Sequence, residues 1–599
     1  MPEPTYVVGI DLGTTNSVVA YTLVEVKKGE HPEVRLFAVP QLVAAGSLEE
    51  REEGLPSFLL LPGGHDTPAS DLALPWDKEP EAAVGVFARD RGAEIPDRLV
   101  SSSKSWLCHQ GVDRTSKILP WKAPEDVSKM SPVEASAAVL RHIRLAWDYK
   151  MASEDESLAL ANQEVVLTVP ASFDPVAREL TVQAAELAGL PHVTLLEEPQ
   201  AAFYAWIQRS GEEWREKVGV GDLVLVCDVG GGTSDFSLIA VGEKDGDLTL
   251  ERMAVGDHLL VGGDNMDLTL AYFVAKKLSA DGKKLDSWQI RGLWQSLRSA
   301  KERLLSDPKL KKLPVTVLGR GSSLIGGAIK TEITREEAAE AIVDGFFPAC
   351  EKDARPAAPS RAGVRELGLA YESDPAITLH MAGFLGRPGR DSHEPTAVLF
   401  NGGVMKAPAL RERVLSILSG WTEKGGIREL QGADFDLAVA RGAAYYGLAR
   451  RGNAVRIRGG LAKSYYIGVE MAMPAVPGMP APTKALCVAP FGMEEGTEAS
   501  LDSREFGLVV GEPVRFDFLG SATRMDDKAG DTIEDWQDEL SLVTTLETEL
   551  TGEQGALTPV TLHVQVTEVG TLDLSCVSVK DGRKWKLSFN VREQSSNND

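Results

Sequence analysis

The sequence predicts an α/β chain in which one half repeats the plan of the other, followed by a smaller all-β domain. Three observations carry this. Leu223-Val224-Leu225-Val226-Cys227-Asp228 is an apolar run ending on an acid, followed by the turn Gly230-Gly231-Gly232-Thr233 and a second strand opened by Asp235. Far upstream, Val7-Val8-Gly9-Ile10-Asp11-Leu12-Gly13-Thr14-Thr15-Asn16 repeats that order of strand, acid, turn and strand. From about Tyr465 onward, short apolar segments alternate with Gly, Pro and Asp, the pattern of a sheet with one solvated face.

Each hairpin has a chemical reading. A run apolar on both faces reads as a buried central strand. Glycines let the backbone approach an anion closely and present N–H groups to phosphate oxygens. Asp228 and Asp235 flank the central turn, and Asp11 precedes the first one. At such places a hard cation is held between carboxylates and phosphate, largely through its water shell. One glycine motif alone reads equally well as an ordinary hairpin. Two of them far apart suggest a duplicated domain closing on a nucleotide from both sides. The competing signatures fail: no G-x-x-x-x-G-K-[ST] loop exists, and Gly319-Arg320-Gly321-Ser322-Ser323-Leu324 breaks the dinucleotide pattern at its last position.

The hairpin pair resembles the superfamily of actin, the sugar kinases and the seventy-kilodalton heat-shock chaperones, and further motifs resemble the DnaK-like chaperones in particular. Lys104, within Ser101-Ser102-Ser103-Lys104-Ser105, stands where those chaperones keep a lysine reaching the γ-phosphate. A threonine kept nearby in the family is replaced here by Gly54-Leu55. Leu195-Leu196-Glu197-Glu198-Pro199 resembles the connecting segment, which implies that Glu198 orients the attacking water; the plain alternative is an acid at a helix N-terminus. Gly262-Gly263-Asp264 is similar to the family's Gly-Gly-Glu, shortened to Asp. Lys301 matches a lysine beside adenine, whereas Arg298 and Glu302 depart from their usual neighbours. Asn401-Gly402-Gly403 resembles the adenosine motif, with Lys406 where the family stacks an arginine on the base. An ammonium does not stack as a guanidinium does, so weaker nucleotide affinity is expected. Asp436 precedes the expected closing helix around Ala438–Ala444.

The resemblance spans about residues 5–450 and implies an actin-like, duplicated ATPase domain with ribonuclease H-like halves, followed by a small all-β sandwich. The expected division is residues 1–455 for the ATPase domain, with insertions near 24–53, 62–81 and 354–395, then a linker at 456–463. Residues 464–593 are expected to form a substrate-binding-like sandwich and 594–599 a polar tail, and no helical lid is expected. In the linker, Val455 and Ile457 fall on one strand face and Arg456 and Arg458 on the other, a pattern suited to docking by strand addition.

Composition narrows the partners. A formal net charge of −25 opposes broad binding to nucleic acid or anionic membrane. No apolar run reaches membrane-spanning length, and no signal peptide is expected before the first strand. The five cysteines show no paired spacing, so a reducing, cytoplasmic setting without disulfides or zinc is expected.

The resemblance implies ATP or ADP with Mg2+ as cofactors, client polypeptides as partners, and a co-chaperone and exchange factor besides. The phosphates are expected at Gly13, Thr14, Thr15, Asn16, Gly230, Gly231, Gly232 and Thr233. The nucleoside is expected at Gly262, Gly263, Asp264, Lys301, Gly402, Gly403, Lys406 and Asp436. Lys104, Glu198, Asp228 and Asp11 are the catalytic candidates, with Asp11, Asp228 and Asp235 about a hydrated metal. The alternatives are a nucleotide-sensing scaffold with little turnover, a sugar-kinase-like phosphotransferase and an actin-like filament former.

Overall fold

In the computed structural model, the described residues are 3–25, 32–63, 68–109, 111–244, 247–307, 309–317, 328–358, 369, 371–386, 394–422, 426–432, 434–451, 457–458, 460–461, 463–473, 481–494, 496–502, 504–511, 513–549, 556–567 and 571–589. Two sheets with matching topology organise the first part. In one, strand Tyr6–Leu12 pairs antiparallel with Asn16–Leu23 and parallel with Glu164–Val169, which in turn runs parallel to Val193–Glu197. In the other, Leu223–Val229 pairs antiparallel with Ser234–Lys244 and parallel with Ala397–Asn401, which runs parallel to Arg428–Glu429. Both first strands are central and lie almost wholly buried. This is what their unbroken apolar runs require.

The helices between these strands start and stop where their end residues direct. Pro132–Met151 opens with a capping box, Ser131 and Glu134 satisfying each other's backbone N–H. Pro175–Leu187 is capped by Asp174, whose carboxylate accepts from the Ala177 N–H, and Gly189 follows at φ +83°. Helices Glu198–Ser210 and Ala438–Arg450 lie between the sheets and share one core with both of them. They cross so closely that a Cβ on Gly442 would stand 1.7 Å from the Ala201 carbonyl oxygen. No larger residue fits that crossing.

Two segments differ from expectation. Leu55-Pro56-Ser57-Phe58-Leu59-Leu60-Leu61 reads as one strand, but forms two short pieces. Leu55–Pro56 pairs with Asn16 and Ser17, while Leu59–Leu60 pairs with Ala83–Val84 and Leu99–Val100, so the chain changes partners at Ser57. The 62–81 stretch is not merely a surface loop, because Leu72 and Leu74 are buried.

The C-terminal region is built of antiparallel strands along one continuous hydrogen-bonded path. Its core draws on Tyr465, Ile467, Leu486 and Phe518 from the first half and on Leu562, Val564, Leu574 and Leu587 from the second. The alternation reads through strand Ala556–Val566: Val560, Leu562, Val564 and Val566 point inward while Thr561, His563 and Gln565 do not. Between the two parts, Ile457–Arg458 adds as a parallel strand to Leu250–Glu251 at the edge of the second sheet. Val455 and Arg456 lie outside the described residues. Among the described residues, no helix is long and apolar enough to cross a membrane.

Candidate nucleotide cleft

The two hairpin turns meet. A Cβ on Gly231 would lie 1.8 Å from Thr15 Oγ1, and one on Gly232 2.6 Å from Thr14 Cγ2. Around this contact opens a cavity of about 540 Å3. Asp11, Gly13, Thr14, Thr15 and Asn16 line it from the first hairpin, and Asp228, Gly230, Gly231 and Thr233 from the second. Lys104 and Glu198 form part of the same wall. Gly263, Asp264, Lys301, Gly402, Gly403, Lys406 and Asp436 line the remainder, so residues from the whole length of the first part converge here.

Three expected residues stand off the cavity wall. Gly232 packs against Thr14 and Ser105, and a Cβ on Gly262 would lie 2.7 Å from the Gly230 carbonyl oxygen. Both support the turn from behind. Asp235 is buried beside Asp228, its cross-strand partner, and accepts a hydrogen bond from Ser172 Oγ.

The matching strand pairing of the two sheets places an acid and a polar donor side by side in each. Asp11 is in register with Thr168, whose Oγ1 donates to Asp11 Oδ1 at 3.2 Å. Asp228 is in register with Asn401, whose Nδ2 donates to Asp228 Oδ2 at 2.8 Å. Lys104 sits in the short helix Ser103–Leu107 and is ion-paired with Glu198 at the start of its helix. Gly402 adopts φ +86°, and a Cβ there would stand 2.3 Å from the Val229 carbonyl oxygen and 2.7 Å from Asp228 Oδ1. Only glycine serves at that position.

The electrostatics follow from burying several acids together. Burial pushes the Asp11 carboxyl up to about 7, and the Glu198 charge adds to this, against Lys104 and Thr168. Burial also raises Asp228 well above the usual carboxylate range, helped by Glu198 and opposed by the Asn401 hydrogen bond. Burial alone would lower Lys104, but Glu198 and Asp11 outweigh it and hold the ammonium charged. Such a group of acids favours a cation or a proton.

Toward the far end, Lys301 Nζ donates to the Gly263 carbonyl at 3.0 Å and pairs with Asp267 at 2.7 Å. Arg298, a departure from the family pattern, pairs with both Asp264 and Asp267. Lys406 pairs with Asp436. The residues suit a nucleotide with a hydrated cation. Thr15 Oγ1 and Asn401 Oδ1 are buried without a hydrogen-bond partner, and both Thr15 and Asn401 line the cavity. Among the described residues no three His, Cys, Asp or Glu side chains are placed to hold a metal ion directly. Sequence reading left Asn401 and Thr168 out of the site. Their signal is strand register: each lies opposite an acid on the parallel neighbour of that acid's strand.

Fold and cleft together define an α/β domain of the Hsp70 type followed by a β-sheet-rich region. Residues 65–355 match the family model described as Hsp70 protein. The chain is 30% identical over 461 residues to the chaperone protein HscA homolog of Pseudomonas aeruginosa (strain LESB58), covering 74% of this chain and 58% of that protein. It is 28% identical over 412 residues to the chaperone protein HscA of Salmonella paratyphi C (strain RKS4594), covering 67% of this chain and 58% of that one. The chain therefore carries a domain of the Hsp70/DnaK chaperone family. The match spans less than two thirds of the length of those relatives.

Proposed function

We propose that this chain is an ATP-binding, ATP-hydrolysing chaperone-like protein whose nucleotide state sets how its C-terminal β domain engages client polypeptides. The contact of Gly231 with Thr15 carries this reading, since it brings two glycine-threonine turns to one cavity beside two acids and an ammonium. The proposed division keeps an actin-like domain with duplicated halves over 1–455, a linker over 456–463 and a substrate-binding sandwich over 464–593.

Phosphoryl transfer demands positioning and charge stabilisation more than covalent chemistry. When bound, hydrated Mg2+ neutralises phosphate charge. Gly13, Thr14, Thr15, Gly231 and Thr233 would bind the phosphates through backbone N–H groups and hydroxyls, and Asp11 and Asp228 would hold the cation. Lys104 stabilises the charge that develops on the transferred group. Glu198 or Asp228 accepts a hydrogen bond from the attacking water and orients it. Because Lys104 and Glu198 neutralise each other, turnover is slow. The strand addition of Ile457–Arg458 to Leu250–Glu251 supports coupling between cleft and β domain. Measuring unfolded-peptide affinity with ATP and with ADP tests the coupling. Unequal affinities are expected; equal ones would leave an ATPase without a gate.

A further inference from the structure

A second cavity, of about 510 Å3, lies between the α/β domain and the β-rich region. Cys108, Ser172 and His258 line one side of it, and Tyr465, Leu542 and Val543 of the β-rich region line the other. No residue of the nucleotide reading explains this group. Cys108 Sγ lies 3.0 Å from His258 Nε2, and His258 Nδ1 lies 2.6 Å from Ser172 Oγ. Ser172 Oγ is hydrogen-bonded in turn to Asp235. Phe173 packs edge-on against the imidazole at 5.6 Å and fixes its plane.

The chain of hydrogen bonds sets the polarity of the histidine. A carboxylate only accepts, so Ser172 spends its single proton on Asp235 and must accept from His258 Nδ1–H. That leaves Nε2 facing the sulfur, within hydrogen-bond reach of it. The Ser105 carbonyl oxygen, 3.1 Å from Sγ, is the competing acceptor for the thiol hydrogen. The remaining cysteines lack this arrangement: Cys227, Cys487 and Cys576 are buried, and half-buried Cys350 reaches only the Thr378 carbonyl at 3.6 Å. Metal binding does not account for the group, because no metal-holding set exists among the described residues.

We propose that Cys108 is a thiol modification site that reacts with small hydroperoxides, with His258 as its proton acceptor and donor. The thiol proton passes to His258 Nε2. The sulfur attacks one peroxide oxygen, the S–O bond forms and the O–O bond breaks. The departing oxygen takes the proton from His258 and leaves as water or an alcohol. Sulfur is oxidised by two electrons to the sulfenic acid, and the peroxide is reduced by the same two. The imidazole beside the sulfur serves both proton transfers, which is why an oxidant with an oxygen leaving group suits this site. The proposal stands independently of nucleotide binding.

The test treats the full chain with hydrogen peroxide and dimedone and follows each cysteine by peptide mass spectrometry. Cys108 is expected to label at least about tenfold faster than Cys350, as for a thiol paired with histidine. His258→Asn should slow Cys108 by about tenfold and leave Cys350 unchanged. Ser172→Ala, a smaller perturbation, should slow Cys108 while Cys227, Cys487 and Cys576 stay unlabelled, which separates loss of the relay from unfolding. Equal rates at Cys108 and Cys350, or an unchanged Cys108 rate in both variants, would overturn the proposal.

Discussion

Lys104 and Glu198 form a buried ion pair at the floor of the cleft, their side chains only 6% and 13% exposed. They belong to different helices, so the pair ties the short helix Ser103–Leu107 to the one that crosses between the sheets. Breaking one side of such a pair leaves an uncompensated charge and costs about 3–5 kcal/mol. Lys104→Ala should therefore lower unfolding free energy by about that much, and adding Glu198→Gln should recover most of it. Urea denaturation of the two variants checks this; losses that simply add would contradict it.

The hairpin contact makes a second prediction. Gly231→Ala places a methyl 1.8 Å from Thr15 Oγ1, so the turns must separate. Nucleotide affinity should fall at least about tenfold, a loss of about 1.4 kcal/mol. Thr15→Ala in the same chain removes the clashing oxygen and should restore part of it. Titration with a fluorescent ATP analogue measures both, and unchanged affinity in Gly231→Ala would count against a shared phosphate site.

The β-rich region is held partly through Arg252, which is buried, pairs with Glu197 and donates to the Gly460 carbonyl oxygen. Glu197 also accepts from Arg178 at 2.7 Å. Arg252→Ala removes the link between the second sheet and the linker, and should speed proteolysis near residues 456–463 by at least about tenfold where cleavage tracks local opening. An unchanged cleavage rate would show that the strand addition alone holds the linker.

Acid stability should depend on His142. Burial lowers its imidazole from 6.5 to about 4, against the hydrogen bond it makes with the Pro40 carbonyl at 2.9 Å. The unfolded chain takes up a proton below about 6.5 while the folded chain does not, so this contribution is intact above that pH. It is lost as pH falls toward 4, by about 3 kcal/mol in all. His142→Gln keeps a donor for Pro40 and should flatten the stability profile between pH 4 and 6.5. A profile as steep as that of the unaltered chain would assign acid sensitivity elsewhere.

Much of this architecture was legible because local chemistry and fold agree. The two hairpins announce themselves by apolar runs ending on Asp11 and Asp228. The inward face of Ala556–Val566 follows from alternation alone. What escaped was decided by distant pairing. The break at Ser57 depends on two sheets competing for one segment. The turn of Asp235 toward Ser172, and the meeting of Cys108 with His258, join residues 63 and 150 positions apart, a distance no sequence pattern spans. Arg298 departs from the acid the resemblance implies beside Lys301, yet it holds Asp264 and Asp267 together.

Single-turnover ATP hydrolysis by the full chain tests the central claim most directly, comparing the unaltered protein with Asp228→Asn and Lys104→Ala. Loss of one charge-stabilising group costs about 2–4 kcal/mol of barrier, so each variant should slow by at least about tenfold. Turnover near that of the unaltered protein in both variants would contradict the cleft as the site of phosphoryl transfer.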